Sequence, residues 1–176
     1  AKMHQGWTKF TAHLWYATPD QGLAALHYSP CRVTTFVGES NITITIQEET
    51  SYPFEDEVRF NLTTPEPVDF PWKFRVPQWC DSATVSINGE VVNQPAIESI
   101  ISLERTWNDQ DEVILKLPMK PRISNWGRNS RAVERGPLVY ALKLNERWET
   151  GYHDKEGEYF SVYPKGDWNY GLDIDV

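Results

Sequence analysis

The sequence has 176 residues, a formal net charge of −8, and 40% hydrophobic and 24% charged residues. This balance is typical of a folded protein with one large domain or one and a half smaller ones. The acidic charge argues against a nucleic-acid partner, because phosphates attract clustered Lys and Arg. No apolar run approaches the roughly 18 residues that cross a bilayer, so no membrane partner is expected.

The cysteines and histidines offer little metal-binding chemistry. Cys31 and Cys80 match no zinc or redox spacing, and we favour two isolated buried thiols over a disulfide. The four histidines are scattered along the chain. We therefore expect no metal site and no cofactor in this chain alone.

The chain begins with a predicted helix at residues 3–17. Trp7, Phe10, Leu14 and Trp15 recur at helical spacing, which puts them on one face. Pro19 ends the pattern, since it disfavours helical geometry at the residue before it. One amphipathic helix cannot bury its own stripe, so it must dock on the following sheet or on a helical domain outside this chain.

Short alternating runs follow, with no helix between them. In residues 42–47 the three isoleucines face one side and the threonines the other, which is typical of a half-buried strand. Asn88-Gly89 between two alternating runs predicts a type I′ hairpin. About eight such strands at regular spacing predict an antiparallel β-sandwich over residues 21–120. The other predicted strands are 23–28, 32–37, 57–64, 72–76, 97–103 and 112–117, and residues 48–56 are a predicted loop.

The C-terminal third is less periodic. Residues 118–131 contain two prolines and a glycine and are interpreted as a linker. The apolar run 138–142 predicts a strand buried on both faces, against which the other strands pack. The charged residues 131–135 before it could line a site, but we favour a salt-bridged rim. Residues 145–176 show little periodicity and are expected to wrap around the surface.

Candidate chemistry is sparse. Glu48 and Glu49 are neighbours on a strand end, so they face opposite sides and form no acid–base pair of the kind that glycosidases use. The segment His4-Gln5-Gly6-Trp7 offers a proton carrier, an amide and a stacking face at the mouth of the first helix. An ordinary helix N-terminus with a core Trp is the favoured interpretation from the residues alone, and a substrate-binding site is the alternative.

Several segments together resemble a known family. They are Met-His-Gln-Gly-Trp-Thr-Lys at 3–9, Arg-Val-Pro-Gln-Trp at 75–79, Val-Ser-Ile-Asn-Gly at 85–89 and Arg-Gly-Pro-Leu-Val-Tyr at 135–140. Their sequences and order resemble the C-terminal part of the β-L-arabinofuranosidase-type glycoside hydrolases, family 127 and its relatives. The ending Trp-Asn-Tyr-Gly at 168–171 is similar to that of bacterial polysaccharide-degrading members.

The resemblance implies an architecture and a mechanism. Such enzymes carry an N-terminal (α/α)6 barrel that performs the chemistry, followed by two β-sandwiches. The best-studied type uses a cysteine nucleophile on zinc, held by further cysteines and a glutamate, with another glutamate as acid/base. The cysteine pair lies just upstream of the segment resembling residues 3–9, so we expect those groups, and any zinc, outside this chain. By the same resemblance, His4 and Gln5 lie near the catalytic pocket, and Trp7 joins them as a substrate-binding candidate.

These inferences give one main expectation and two alternatives. We expect residues 1–20 to be the last helix of a missing catalytic barrel, 21–120 a β-sandwich, and 121–176 part of a second sandwich and a C-terminal wrap. The parent protein would be a glycosidase for an arabinose-containing plant glycan, periplasmic or secreted, whereas this chain alone would be inactive. The alternatives are a carbohydrate-binding module, which the aromatic residues Tyr152, Tyr159, Tyr163, Trp168 and Tyr170 suggest, and a structural domain that braces the barrel.

Overall fold

The computed structural model describes residues 3–93, 96, 99–128, 130–168, 170, 171 and 173. The chain divides into two compact units, residues 1–139 and 140–176. No helix in the described part is long and apolar enough to cross a membrane. In chain order the elements are α1 (Met3–Thr11), β1 (Trp15–Ala17), β2 (Leu23–Ala25), β3 (Cys31–Val37), β4 (Ile42–Thr50), β5 (Glu57–Thr63), β6 (Val68–Arg75), β7 (Thr84–Ile87), β8 (Glu90–Val92), β9 (Ile100–Trp107), β10 (Glu112–Lys116), β11 (Pro121–Trp126), β12 (Ser130–Arg135), β13 (Leu138–Val139), β14 (Glu146–His153) and β15 (Gly157–Pro164).

Two sheets of the first unit form a β-sandwich, as predicted. One has four strands in the order β1-β2-β6-β9, and the other has six in the order β3-β4-β5-β10-β7-β8. Both contribute side chains to one hydrophobic core. The β2–β6 pair is parallel, an exception to the predicted antiparallel pairing.

Alternation of the side chains explains how the sheets face each other. Ile44 and Ile46 of β4 are buried, as are Phe60 of β5 and Phe74 of β6, whereas intervening residues are more exposed. Trp72 is fully buried, with ring centroids 5.3 Å from Phe74 and 5.7 Å from Phe60. Burial of each such aromatic residue removes 150–250 Å² of surface from water, so this cluster dominates the packing energy of the sandwich.

The hairpin predicted at Asn88-Gly89 is confirmed. The two residues have φ of 51° and 85°, the left-handed values that a type I′ turn requires at both positions. The turn joins β7 to β8, in which Ile87 pairs with Glu90. The strand predicted at 97–103 is found as β9, which begins at Ile100; residues 97 and 98 lie outside the described residues.

The predicted helix at 3–17 was too long. Helix α1 ends at Thr11, and Trp15 lies in β1, opposite Ala25 of β2. Trp15 contacts Phe60 and Trp72 of the core, with centroid distances of 5.7 and 6.1 Å. The pattern of apolar residues fits both structures, and burial of a large indole in the sandwich favoured the strand.

Two C-terminal predictions were wrong. Residues 118–131 are not a linker, because β11 and β12 form an antiparallel ladder there and β13 extends it to three strands. The run 138–142 is not a buried central strand: β13 has only two residues, and Val139 and Leu142 are 67% and 64% exposed. Pro121 is compatible with β11 because it is the first residue of the strand, where a missing N–H does little harm.

The described residues of the second unit form a β-hairpin. β14 and β15 pair along eight residues each, from Glu146 opposite Pro164 to His153 opposite Gly157. This hairpin was not predicted, because residues 145–176 show little periodicity in the sequence. As expected from their residue types, Tyr152, Tyr159, Tyr163, Trp168 and Tyr170 are exposed.

Candidate functional site

Helix α1 carries the residues that the sequence proposes for substrate binding. The backbone of His4 is helical, but its side chain lies outside the described residues. Gln5 is exposed and Trp7 is 69% exposed. Residues two apart on a helix do not face each other, so these two side chains leave it in different directions. A ligand or partner that contacts both must reach around the helix.

The end of the helix is attached to the sandwich through its last apolar residue and the turn that follows. The Phe10 ring lies 5.4 Å from the His27 ring, measured between centroids. The backbone carbonyl of Leu14 accepts hydrogen bonds from the N–H groups of Leu26 and His27, at 3.0 and 3.3 Å. Burial, with a smaller contribution from Arg75, lowers the pKa of His27 and favours its neutral form.

A buried carboxylate secures β1 just beyond this attachment. Glu48 of β4 is fully buried and continues the core-facing series that includes Ile46. One of its oxygens accepts a hydrogen bond from the Trp15 indole N–H at 2.9 Å and from the Cys31 thiol at 3.3 Å. The other accepts from the Ser29 backbone N–H at 3.0 Å. Glu48 thus links the six-stranded sheet to β1 of the opposite sheet.

Burial dominates the electrostatics of this cluster. It raises the pKa of Glu48 to about 7, although the bonds from Trp15, Ser29 and Cys31 act in the opposite direction. Burial and the adjacent Glu48 carboxylate raise the pKa of Cys31 to about 12. The Cys31 thiol therefore stays protonated and is a poor nucleophile at neutral pH. Burial also raises the pKa of Tyr28, whose hydroxyl donates to the Arg75 carbonyl at 2.5 Å.

The described residues contain no group of three or more His, Cys, Asp and Glu side chains that could hold a metal ion. Cys31 and Cys80 are both free, as predicted, and Cys80 is buried, whereas Cys31, which was also predicted to be buried, is only half-buried. The prediction that a zinc site lies outside this chain stays a prediction. Glu48 and Glu49 face opposite sides, as expected, since the first is buried and the second exposed.

An acidic groove of about 990 Å³ lies at one end of the sandwich. Asp20 is on its wall, and a hydrogen bond from Lys73 holds the pKa of that carboxyl below its ordinary value. Among the described residues that line the groove, Phe70 is the one aromatic side chain, and it is buried, so these residues offer no open ring for a sugar to stack on. Its other charged lining residues are Glu39, Glu66, Asp69, Glu104 and Arg105.

Sequence reasoning missed the role of Glu48. It placed residues 48–56 in a loop because they are acidic, whereas β4 continues to Thr50. A usable signal was present, since Glu48 follows Ile42, Ile44 and Ile46 at the same two-residue spacing. A carboxylate in a core-facing position requires donors, and Trp15 and Cys31 provide two of them.

Comparison with known proteins agrees with this fold. The model of the family described as β-L-arabinofuranosidase, GH127 middle domain, matches residues 22–119. No curated protein matches the sequence. The structure of a GH127 β-L-arabinofuranosidase from Geobacillus stearothermophilus T6 superposes with a TM-score of 0.73 at 22% identity, covering 99% of this chain and 32% of that one.

Two further solved structures have the same fold. A GH127 β-arabinofuranosidase gives a TM-score of 0.62 at 19% identity over 82% of this chain and 31% of its own. A protein described as a glycoside hydrolase gives 0.62 at 22% identity over 89% of this chain and 31% of its own. The chain thus spans about a third of the length of these structures. Because the family model matches more than half of the 176 residues, the chain belongs to the GH127 β-L-arabinofuranosidase family and carries its middle domain.

Proposed function

We propose that this chain is a non-catalytic β-sandwich region of a glycoside hydrolase that acts on β-L-arabinofuranosides of plant polysaccharide. The observation that carries the proposal is the match of residues 22–119 to the GH127 middle domain. The chain spans about a third of the solved relatives, which leaves room for a separate catalytic domain in the complete enzyme.

The partner of this region is its own catalytic barrel, and α1 is the contact. Trp7 and Phe10 lie three residues apart, on one face of the helix, and are 69% and 38% exposed. Exposed aromatic residues on one face are typical of a surface that another helix covers. In this arrangement His4, Gln5 and Trp7 reach the rim of the catalytic pocket, and the barrel supplies the nucleophile and the acid/base.

Zinc, where the enzyme uses it, is held by the barrel. Zinc binds cysteine as the thiolate, and a pKa of about 12 keeps Cys31 protonated. Glu48 is fully buried and already accepts three hydrogen bonds, so its oxygens are poorly placed for a metal. These features support a structural role for both residues.

A carbohydrate-binding module is the second candidate, because the hairpin exposes several tyrosines. In the β14–β15 register Tyr152 lies on one face and Tyr159 and Tyr163 on the other. Tyr163 lies under Arg147, 5.1 Å from the guanidinium carbon to the ring centroid. The three rings therefore form no single stacking platform, and the hairpin gives this candidate limited support.

Activity assays test the proposal directly. We expect residues 1–176 alone to show no turnover of an aryl L-arabinofuranoside. We expect the complete polypeptide that the gene encodes to be active. In that polypeptide, Gln5→Ala and Trp7→Ala should raise KM or lower kcat by roughly tenfold. Val91→Ala is the control, because Val91 is 75% exposed, is far from α1 in the sequence, and lies on β8 at the edge of the six-stranded sheet. Turnover by the isolated chain that disappears in His4→Ala would contradict the proposal.

A further inference from the structure

The β11–β12 ladder carries a hydrogen-bonded series of side chains on one face. Its register pairs Arg122 with Glu134 and Trp126 with Ser130, so alternate residues of β11 share a face with Glu134. The Trp126 indole N–H donates to the Ser124 hydroxyl oxygen at 2.9 Å. That hydroxyl donates to one oxygen of Glu134 at 2.6 Å. Arg122 donates to the other oxygen from Nε at 2.9 Å and from Nη2 at 2.6 Å.

This series fixes an exposed ring. Trp126 is 63% exposed, whereas Glu134 at the base of the series is only 8% exposed. The hydrogen bonds from Ser124 and Arg122 lower the pKa of Glu134, so the carboxylate stays ionised and keeps its partners in place at neutral pH. A connected network of this kind restrains side chains more than separate bonds do. The indole is therefore held with its ring open to solvent, and it does not pack in the sandwich core.

We propose that this face, with Trp126 as its stacking surface, binds a neutral saccharide. The indole face carries negative partial charge and attracts the C–H groups on the apolar side of a sugar ring. Arg122 is 56% exposed and uses two of its five N–H groups on Glu134, which leaves donors for sugar hydroxyls. An apolar surface with a few fixed polar groups is the usual composition of a small-ligand site.

The charges on this face select the class of ligand. Arg122 and Glu134 neutralise each other, so the site offers no net positive charge for a uronate or a phosphate. Val139, opposite Glu134 in the neighbouring β13, is the other large apolar side chain of the face and is 67% exposed. Two separated apolar side chains around a charged pair fit a sugar better than an amphipathic helix, which requires a continuous apolar groove.

Calorimetry on the 176-residue protein tests the site, with L-arabino-oligosaccharides as neutral probes and oligogalacturonate as the charged comparator. The proposed function enters only through the choice of sugar. We expect the neutral probe alone to bind, and Trp126→Ala to weaken binding roughly tenfold, as removal of a central aromatic contact does. Ser124→Ala removes the hydrogen bond that holds the Trp126 indole but keeps the ring, so it should weaken binding about threefold.

Trp148→Ala is the matched control. Trp148 is 60% exposed and its indole N–H donates to Glu146 at 2.7 Å, so it resembles Trp126 in exposure and in having its N–H bonded to a side chain two residues earlier. The control should bind like the unmodified protein, and thermal unfolding should show that all variants are folded. Absence of binding by the unmodified protein, or equal binding by Trp126→Ala, would overturn the proposal.

A third outcome would identify a protein contact. If Trp126→Ala leaves saccharide binding intact but weakens association with the catalytic part, the face is an interface and the saccharide proposal is wrong. Failure here would leave the proposed function unaffected, because that function is tested by turnover and by substitutions in α1.

Discussion

Glu48 provides the sharpest test of the physical reasoning. Its pKa of about 7 in the folded protein lies above the ordinary value of 4.5, because burial disfavours the charged form. Between these values the folded state holds a proton that the unfolded state has released. The free energy of unfolding therefore falls as the pH rises through this interval. The stabilising contribution of Glu48 is fully present below about pH 4.5 and lost above about pH 7.

The difference between the two pKa values of Glu48 sets the size of the effect on stability. At about 1.4 kcal/mol per pH unit, the interval from 4.5 to about 7 corresponds to about 3 kcal/mol of unfolding free energy. Glu48→Gln removes the titration but keeps the shape of the side chain. The difference in unfolding free energy between the unmodified protein and this variant should therefore shift by about 3 kcal/mol, in favour of the variant, from pH 4 to pH 8.

Urea denaturation followed by Trp fluorescence at pH 4, 5, 6, 7 and 8 measures this difference. The sandwich supplies a suitable signal, since Trp72 lies in its core and Trp15 packs against that core. Glu49→Gln is the control, because Glu49 is the next residue of β4 and is exposed. A difference that stays constant with pH, or that shifts in favour of the unmodified protein, would refute the reasoning. A constant difference would mean that the three donors cancel the effect of burial on the pKa of Glu48, and the opposite shift would mean that they outweigh it.

Two other predictions concern the sandwich. Cys31 and Cys80 should react with a thiol reagent at least roughly tenfold more slowly in the folded protein than in urea, because burial raises both pKa values; equal rates would contradict this. Gly22→Ala should lower the free energy of unfolding by about 1–3 kcal/mol or more, since its Cβ would lie 2.1 Å from the carbonyl oxygen of Pro71. Gly127→Ala, where nothing lies within 4 Å, is the control, and equal thermal stability of the two variants would show that β2 can move away from β6.

Local patterns predicted much of the sandwich. A strand with one buried face leaves a two-residue period, as in Ile42, Ile44 and Ile46, and a type I′ turn demands residues such as Asn88-Gly89. These signals depend on neighbours in the sequence. They do not depend on which strands pair, so the parallel β2–β6 contact had no local signal.

The errors occurred where long-range contacts decide the structure. Trp15 fits a helical stripe and also a strand, and contacts distant in the sequence distinguish the two, among them its bond to Glu48, 33 residues later, and its packing on Phe60. The run 138–142 has the composition of a core strand, yet Val139 and Leu142 are exposed. Composition states what a segment can bury, whereas the surrounding fold determines whether burial occurs. For the same reason the Trp126 series escaped detection, because Glu134 joins it across the sheet.

The geometry around Glu48 also explains why a sandwich matters to a helix that carries candidate binding residues. Helix α1 has nine residues, fewer than the roughly 12–15 at which isolated helices are only marginally stable in water. Its stability must therefore come from attachment, and the attachments among the described residues include Phe10 against His27, the Leu14 carbonyl, and Trp15 on Glu48. On the proposed function, the sandwich contributes to catalysis without touching the reacting atoms. It fixes the end of the helix that presents Gln5 and Trp7, so a change at Glu48 should reach the pocket through the position of β1.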